Sequence, residues 1–185
     1  MPRGFSLIEL LVVVGIFIVI TSVILANHSR FYSSVLLGNA AYDIALSVRG
    51  AQVYGLSTQS TGGSFNVGYG IHFTTGANTY LLFADNDRDH IYDNPGDTIL
   101  KTYGFQRGYQ IQKFCGVQSN GSEHCSNTGD IPFLDVAFLR PNPDAWILSS
   151  TGITYSQIKV TIRSGSDETR TVSVQSTGQI TVSNP

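Results

Sequence analysis

The feature that most constrains this chain is an apolar run near its N-terminus: from Leu10 to Asn27 no residue carries a formal charge. The run is about as long as a helix must be to cross a bilayer. Its side chains are hydrophobic on every side of a helix, whereas a helix on the surface of a soluble domain needs one polar face. A secretory signal peptide has a shorter apolar core, followed by a cleavage site of small residues. The run therefore predicts one membrane-spanning helix.

The charges that flank this run predict its orientation. Arg3 and the amino terminus precede the apolar residues, and positive charge on the flank of a membrane helix favours the cytoplasmic side. We therefore expect a single-pass protein of the inner, cytoplasmic membrane. Its N-terminus would lie in the cytoplasm and the remainder of the chain would be exported.

The composition of the chain limits the kind of domain that the apolar run can carry. The 185 residues have a formal net charge of -2, and 13% of them are charged. This is typical neither of a disordered acidic tail nor of a basic arm that binds nucleic acid. The 19 Gly, 9 Tyr and 10 Phe residues indicate a turn-rich β-domain. We expect one small domain after one N-terminal segment.

No sequence motif points to catalysis. The chain lacks the G-x-S-x-G, H-E-x-x-H, P-loop and dinucleotide-binding patterns, and its four histidines are scattered. Residues 171–185 contain no Lys or Arg, and contact with phosphate needs positive charge. We therefore expect a structural protein that is not an enzyme and does not bind nucleic acid.

Glu9 lies at the start of the apolar segment, where a plain membrane anchor has no use for an acidic side chain. An ionised carboxylate costs roughly 2.5 to 3.5 kcal/mol near the centre of a bilayer, and less towards its surface. The residue alone allows two interpretations. Either Glu9 reaches the water at the cytoplasmic surface, or it has a cationic partner within the membrane.

The residues around Glu9 form a recognisable motif, GFSLIELL at positions 4–11. This motif closely resembles the class III signal of type IV prepilins and type II secretion pseudopilins. The resemblance implies that a prepilin peptidase cuts after Gly4 and methylates the new N-terminus on Phe5. It also implies that the Glu9 carboxylate meets the N-terminal amine of a neighbouring subunit, so that two charges costly in lipid neutralise each other on assembly.

The chain beyond the apolar run has the spacing of a helix with one buried face. Leu37, Ala41, Ile44, Val48 and Ala51 succeed one another at intervals of four and three residues. A single helix from about Phe5 to about Gly55 would be about 75 Å long. Two helices with a break near Asn27 are the alternative. The expected organisation is a leader (1–4), a membrane or filament-core helix (5–28), an amphipathic continuation (29–56) and an exported β-rich domain (57–185).

The period of the sequence then changes from helical to alternating, which predicts β-strands. Alternation or β-rich composition predicts strands over 67–73, 79–84, 99–103, 109–114 and 136–139, and a final hairpin with a return strand over 158–162, 172–174 and 180–182. The predicted fold class is α+β, with a long N-terminal helix packed on an antiparallel β-sheet domain. This order resembles type IV pilins, and in particular the minor pilins and pseudopilins of the GspH/FimT type.

An acidic segment between two predicted strands has two interpretations. Acidic residues at alternating positions resemble the first part of an EF-hand-like calcium loop, although His90 replaces the usual Gly, Arg88 adds positive charge and the final Glu is absent. The alternative is a solvated turn held by bonds from Asp side chains to the backbone. The calcium interpretation takes as ligands Asp85, Asp87, Asp89, the Ile91 carbonyl, Asp93 and Asp97.

Two cysteines, Cys115 and Cys125, bracket a polar loop. In an exported domain they are expected to form a disulfide, which would stabilise the fold by about 2 to 3 kcal/mol. A zinc site that uses His124 lacks a fourth ligand.

These observations support two hypotheses about function. The first is a structural subunit, a minor pilin or pseudopilin, of a type IV pilus or a type II secretion pseudopilus. Its expected partners are other pilin subunits, prepilin peptidase, membrane lipid and the inner-membrane assembly platform. The second is a signal-anchored, exported module that binds a ligand and does not polymerise. The two differ at Glu9, which a polymer needs and a simple anchor does not.

Overall fold

A computed structural model describes residues 4–57, 67–105, 108–165 and 167–184, with the side chains of 26–32 outside the description. Most of the expected leader, residues 1–3, therefore lies outside the described residues. One helix, α1, runs from Leu7 to Leu56, and its backbone is helical through Asn27, where a break was the alternative. The chain divides into two compact units, Met1–Leu36 and Leu37–Pro185.

The first unit is dominated by the apolar part of α1. Among the described residues, one helical stretch is long and apolar enough to cross a membrane, Leu7–Leu25, with a mean hydropathy of 2.9. None of this stretch is buried within the protein. Its apolar side chains therefore need an environment that this chain does not supply within the described residues.

The described residues of the second unit form two antiparallel sheets of five strands each, with strand orders β3-β2-β1-β6-β7 and β10-β9-β8-β4-β5. The predicted fold class is thus confirmed, with the strands distributed over two sheets. An apolar helix followed by antiparallel sheets is also the arrangement that the pilin resemblance implies. The strands are β1 (Gly68–Thr74), β2 (Thr79–Asp85), β3 (Thr98–Gly104), β4 (Gln110–Val117), β5 (Glu123–Cys125), β6 (Phe133–Phe138), β7 (Ala145–Ser149), β8 (Gln157–Arg163), β9 (Thr169–Gln175) and β10 (Ile180–Ser183).

The C-terminal part of α1 fills the core of this unit. The five residues that the helical spacing selected are all buried, each at 1% exposure or less. They belong to one apolar cluster with side chains from both sheets, including Phe73, Phe138 and Ile147 of the first sheet and Phe114 and Ile158 of the second. Burial of a side chain of this size stabilises a fold by about 1.5 to 3 kcal/mol, so the helix is a structural part of the domain.

Close backbone contacts fix the end of α1 on the first sheet. Gly55 lies so near the end of β6 that a Cβ on it would overlap the carbonyl group of Phe138. The amide of Arg140 donates to the Gly55 carbonyl at 3.1 Å. One turn earlier, the buried Gln52 side-chain amide donates to the carbonyls of Pro143 at 2.9 Å and Gly178 at 3.4 Å. One glutamine thus holds two loops of the domain against the helix.

This contact predicts opposite effects for two glycine substitutions in the same helix. Gly55→Ala should destabilise the domain by about 1 to 3 kcal/mol, because the Phe138 backbone must move. Gly50→Ala should stabilise it by up to about 1 kcal/mol, because a Cβ there meets nothing within 4 Å and alanine favours a helix. Denaturant unfolding of the full chain in detergent micelles measures both. Two changes of the same sign would contradict these contacts at the helix end.

Candidate functional site

The motif at the N-terminus is exposed in the structure. Phe5 is 78% exposed, and the helix begins with the amides of Glu9 and Leu10 donating to the carbonyl of Ser6 at 3.1 and 3.2 Å. Glu9 is also exposed, and its carboxylate forms neither an ion pair nor a hydrogen bond with another residue of the described chain. The described part of this protein therefore supplies no cation to Glu9.

A second set of exposed apolar side chains lies on α1 within the second unit. Tyr42 is 60% exposed, Leu46 67% and Val53 55%. Intervals of four and seven residues place these three side chains on one side of a helix, opposite the buried Ile44 and Val48. We call Tyr42, Leu46 and Val53 the outer stripe. The exposed Arg49 lies on the same side of the helix, between Leu46 and Val53, so one cation interrupts the stripe. Exposed apolar side chains grouped in this way are typical of a surface that contacts another molecule.

The acidic segment is organised around Asp85, which is fully buried at the end of β2. Its two carboxylate oxygens accept from the backbone amides of Arg88 at 2.7 Å and His90 at 3.2 Å, and the His90 ring nitrogen Nδ1 lies 3.1 Å from Oδ2. Asp97 accepts from the amides of Asn86 at 2.9 Å and Asp93 at 3.2 Å. These are the side-chain to backbone bonds of the turn interpretation.

The structure brings together part of the set of residues proposed to bind calcium. Carboxylate oxygens of Asp85, Asp87 and Asp97 all lie within 4.8 Å of one another. In the described chain this grouping does not include Asp89 or Asp93, and the Asp89 carboxylate accepts instead from the Ile91 amide at 2.8 Å. Since calcium takes six to eight oxygen ligands, three carboxylates would fill part of its coordination shell. Calcium binding therefore stays a prediction.

A buried histidine–aspartate pair fastens this loop to the first sheet. His72 of β1 and Asp135 of β6 are direct partners in the sheet register, and His72 Nδ1 lies 2.7 Å from Asp135 Oδ1. The second oxygen of Asp135 accepts from the Tyr92 amide at 3.3 Å, and the Tyr92 ring packs 4.9 Å from the His72 ring. The sequence alone does not indicate this pair, because only the pairing of distant strands brings the two residues together.

Burial raises the pKa of three of these carboxyl groups, Asp89, Asp97 and Asp135. It raises the pKa of Asp135 to about 6, against the lowering effect of its bonds with His72 and Tyr92. It also raises the pKa of Asp97 to about 6, and the negative charges of Asp85 and Asp87 add to that rise. Burial, with a smaller contribution from neighbouring negative charges, thus makes these carboxyl groups harder to ionise.

The two cysteines form the predicted disulfide. Cys115 of β4 and Cys125 of β5 are direct cross-strand partners with their Cα atoms 4.1 Å apart, and Cys115 is buried. Because the disulfide uses both sulfurs, neither is a free thiolate ligand for zinc. His124 instead lies with Nδ1 3.4 Å from the hydroxyl of Tyr155.

Comparisons with known proteins return no match. No protein-family model, no curated protein and no solved structure matches this chain. The function of this protein therefore has to be inferred from its own residues: the N-terminal motif, the exposed apolar side chains of α1 and the acidic loop between β2 and β3.

The raised pKa values predict how stability depends on pH. A carboxyl group whose folded pKa lies above its unfolded value of 3.8 favours the fold while protonated, and that contribution disappears as the pH rises through about 6. We expect the free energy of unfolding to fall by on the order of 2 kcal/mol from pH 4 to pH 7. Denaturant titration measures it, with a metal chelator present to remove any bound cation. Asp135→Asn should flatten this decrease, and a stability that rises over the same range would contradict the assignment.

The calcium prediction has a direct test in the same assay. If Ca²⁺ neutralises the acidic loop, millimolar Ca²⁺ should raise the unfolding midpoint at pH 7, and Mg²⁺ should do so less, since it loses its bound water reluctantly. Asp87→Asn should abolish the effect. The Asp89 amide donates to the Asp87 carboxylate at 3.3 Å. Asparagine keeps an oxygen that can accept this hydrogen bond, and it removes one negative charge. If Ca²⁺ does not change the unfolding midpoint, the calcium interpretation is wrong and the turn interpretation remains.

Proposed function

We propose that this protein is a structural subunit of a type IV pilus or a type II secretion pseudopilus, of the minor, GspH/FimT-like kind. The observation that carries the proposal is the outer stripe. It is a second exposed apolar row on α1, located in the unit that would be exported. An anchor that only holds a domain at a membrane needs apolar residues where lipid is. It has no need for them on the water-facing side of its exported half.

In a filament both exposed regions would be covered. The apolar side chains of Leu7–Leu25 would move from lipid into contact with the helices of other subunits, and the outer stripe would pack against neighbours further along. Burial of one large apolar side chain contributes about 1.5 to 3 kcal/mol, so a few such contacts per subunit can hold an assembly together. The subunit would then function through assembly, without catalysis.

The proposal gives Glu9 a specific role. Its exposed carboxylate has no cationic partner in the described chain. After cleavage behind Gly4, the N-methylated amine of Phe5 on a neighbouring subunit would supply that cation. A pair of this kind forms only in the correct register, because a misplaced subunit leaves both charges unpaired in an apolar environment. Glu9 would thus select the register of assembly.

Assembly through α1 also defines where the protein goes and what it meets. The chain would be inserted with its N-terminus in the cytoplasm and its β-domain exported. It would be processed by prepilin peptidase and transferred from membrane lipid into the filament by the inner-membrane assembly platform. Its other partners would be pilin subunits, with no nucleic acid among them. The filament would display the β-domain on its outside, at the cell surface or in the periplasm.

Leu46→Asp tests the outer stripe. In cells that carry the matching assembly machinery, the variant should reach the membrane normally but fall by about tenfold or more in filaments sheared from the cells, because a charge would be buried at a subunit contact. Immunoblotting of the membrane and filament fractions measures both quantities. Ile99→Asp is the matched control, since Ile99 is 47% exposed and lies on the edge strand β3, outside the outer stripe. Equal incorporation of the two variants would contradict a role for the stripe.

Glu9→Ala tests the charge pair by the same fractionation. Membrane insertion should persist, because the change removes a charge from an apolar helix, whereas incorporation into filaments should be lost. Ser22→Ala removes a polar group from the same apolar helix without touching the motif, and it should assemble as the unaltered protein does. Normal incorporation of Glu9→Ala would favour the anchored module that does not polymerise.

A further inference from the structure

We propose that a groove beside Trp146 on the β-domain binds a neutral carbohydrate. The groove has a volume of about 440 Å³, within the range of small-molecule sites. The residues that matter for recognition are Trp146, His90, Asn142, Asp144, Thr154 and Thr177, all of which line it. We call this site the tryptophan groove. It lies within the second unit, and the proposed role in assembly does not use it.

Trp146 provides an aromatic surface in the groove. It is the only tryptophan of the chain and is 47% exposed, although tryptophan is largely buried in most domains. Its ring stacks on the His90 ring, with centroids 4.6 Å apart and planes inclined by 16°. His90 is itself held by Asp85, at 3.1 Å from Nδ1 to Oδ2. The indole is therefore held in place, and an aromatic face of this kind packs well against the C–H face of a sugar ring.

The walls of the groove are held by backbone bonds from other elements. The segment before β7 is tied to α1 by the Arg140 amide and by the Gln52 side chain on the Pro143 carbonyl. The turn after β9 is tied to that segment, because the Ala145 amide donates to the Ser176 carbonyl at 2.7 Å. A groove whose walls are already in place loses little conformational entropy when it binds a ligand.

The polar groups of the groove suit hydroxyl groups. Asn142, Asp144, Thr154 and Thr177 form no side-chain hydrogen bond with any other residue in the part of the chain that the structure describes. Together they offer the carboxylate, amide and hydroxyl groups that donate to or accept from a polyol. The charged or titratable groups of the lining are Arg140, His90 and Asp144, which leaves no concentration of positive charge for a phosphate. A neutral sugar matches this combination of an aromatic face, hydrogen-bonding groups and balanced charge.

The single tryptophan makes the test direct, because its fluorescence comes from a side chain that lines the groove. The full chain, in micelles of a zwitterionic detergent without a sugar headgroup, is titrated with maltose, cellobiose, lactose and di-N-acetylchitobiose. Inorganic phosphate is titrated as a charged comparison. We expect a saturable change in emission with at least one disaccharide, at a Kd of about 1 mM or tighter. Asp144→Ala and Asn142→Ala should each weaken that binding by about tenfold, because each variant loses one side chain that hydrogen-bonds the sugar.

Asn78→Ala is the matched control, an exposed turn asparagine that does not line the groove, and it should bind as the unaltered protein does. An unchanged unfolding midpoint in each variant separates lost binding from lost folding. The proposal is overturned if no disaccharide gives a saturable change up to about 50 mM, far above a Kd near 1 mM. It is also overturned if phosphate alone binds, or if Asp144→Ala binds as the control does. None of these results bears on assembly, which filament incorporation measures separately.

Discussion

The structure depends on one constraint: a helix of 50 residues carries more apolar surface than a small domain can bury. Its C-terminal part solves this by contributing Leu37, Ala41 and Ile44 to a core shared with two sheets. Its N-terminal part, Leu7–Leu25, has no such solution within the described chain and leaves its apolar side chains exposed. Water is not a stable environment for that surface, which therefore requires an apolar one, and lipid or other helices would supply it. Membrane insertion and assembly are two answers to the same physical demand.

The acidic loop and the tryptophan groove lie together on the outer face of the first sheet. The segment between β2 and β3 folds over that face, with Asp85 as the acceptor for its backbone and the His72–Asp135 pair as its fastening to the strands. The same segment places His90 against Trp146 and so forms part of the tryptophan groove. A change at Asp85 would therefore reach the groove through His90, although Asp85 does not line it. The structure of the loop and the shape of the groove are therefore physically linked.

Local patterns in the sequence predicted the features that depend on residues close together in the chain. The three-and-four spacing of Leu37 to Ala51 predicted the buried helix face, and the position of Cys115 and Cys125 around one loop predicted their disulfide. The short strands β5 and β7 were not predicted, since neither has a long alternating pattern, and neither was the division into two sheets. The His72–Asp135 pair and the tryptophan groove also could not be predicted. Both join residues that lie far apart in the chain and meet only through strand pairing and loop packing.

The central claim is that this chain is a processed filament subunit, and the intact mass of the mature protein tests it most directly. The full chain is expressed with a prepilin peptidase, purified from membranes and analysed by mass spectrometry and N-terminal sequencing. A processed subunit should have lost residues 1–4 and gained one methyl group on Phe5. A chain that still begins at Met1 or Pro2 in the presence of an active peptidase would contradict the claim.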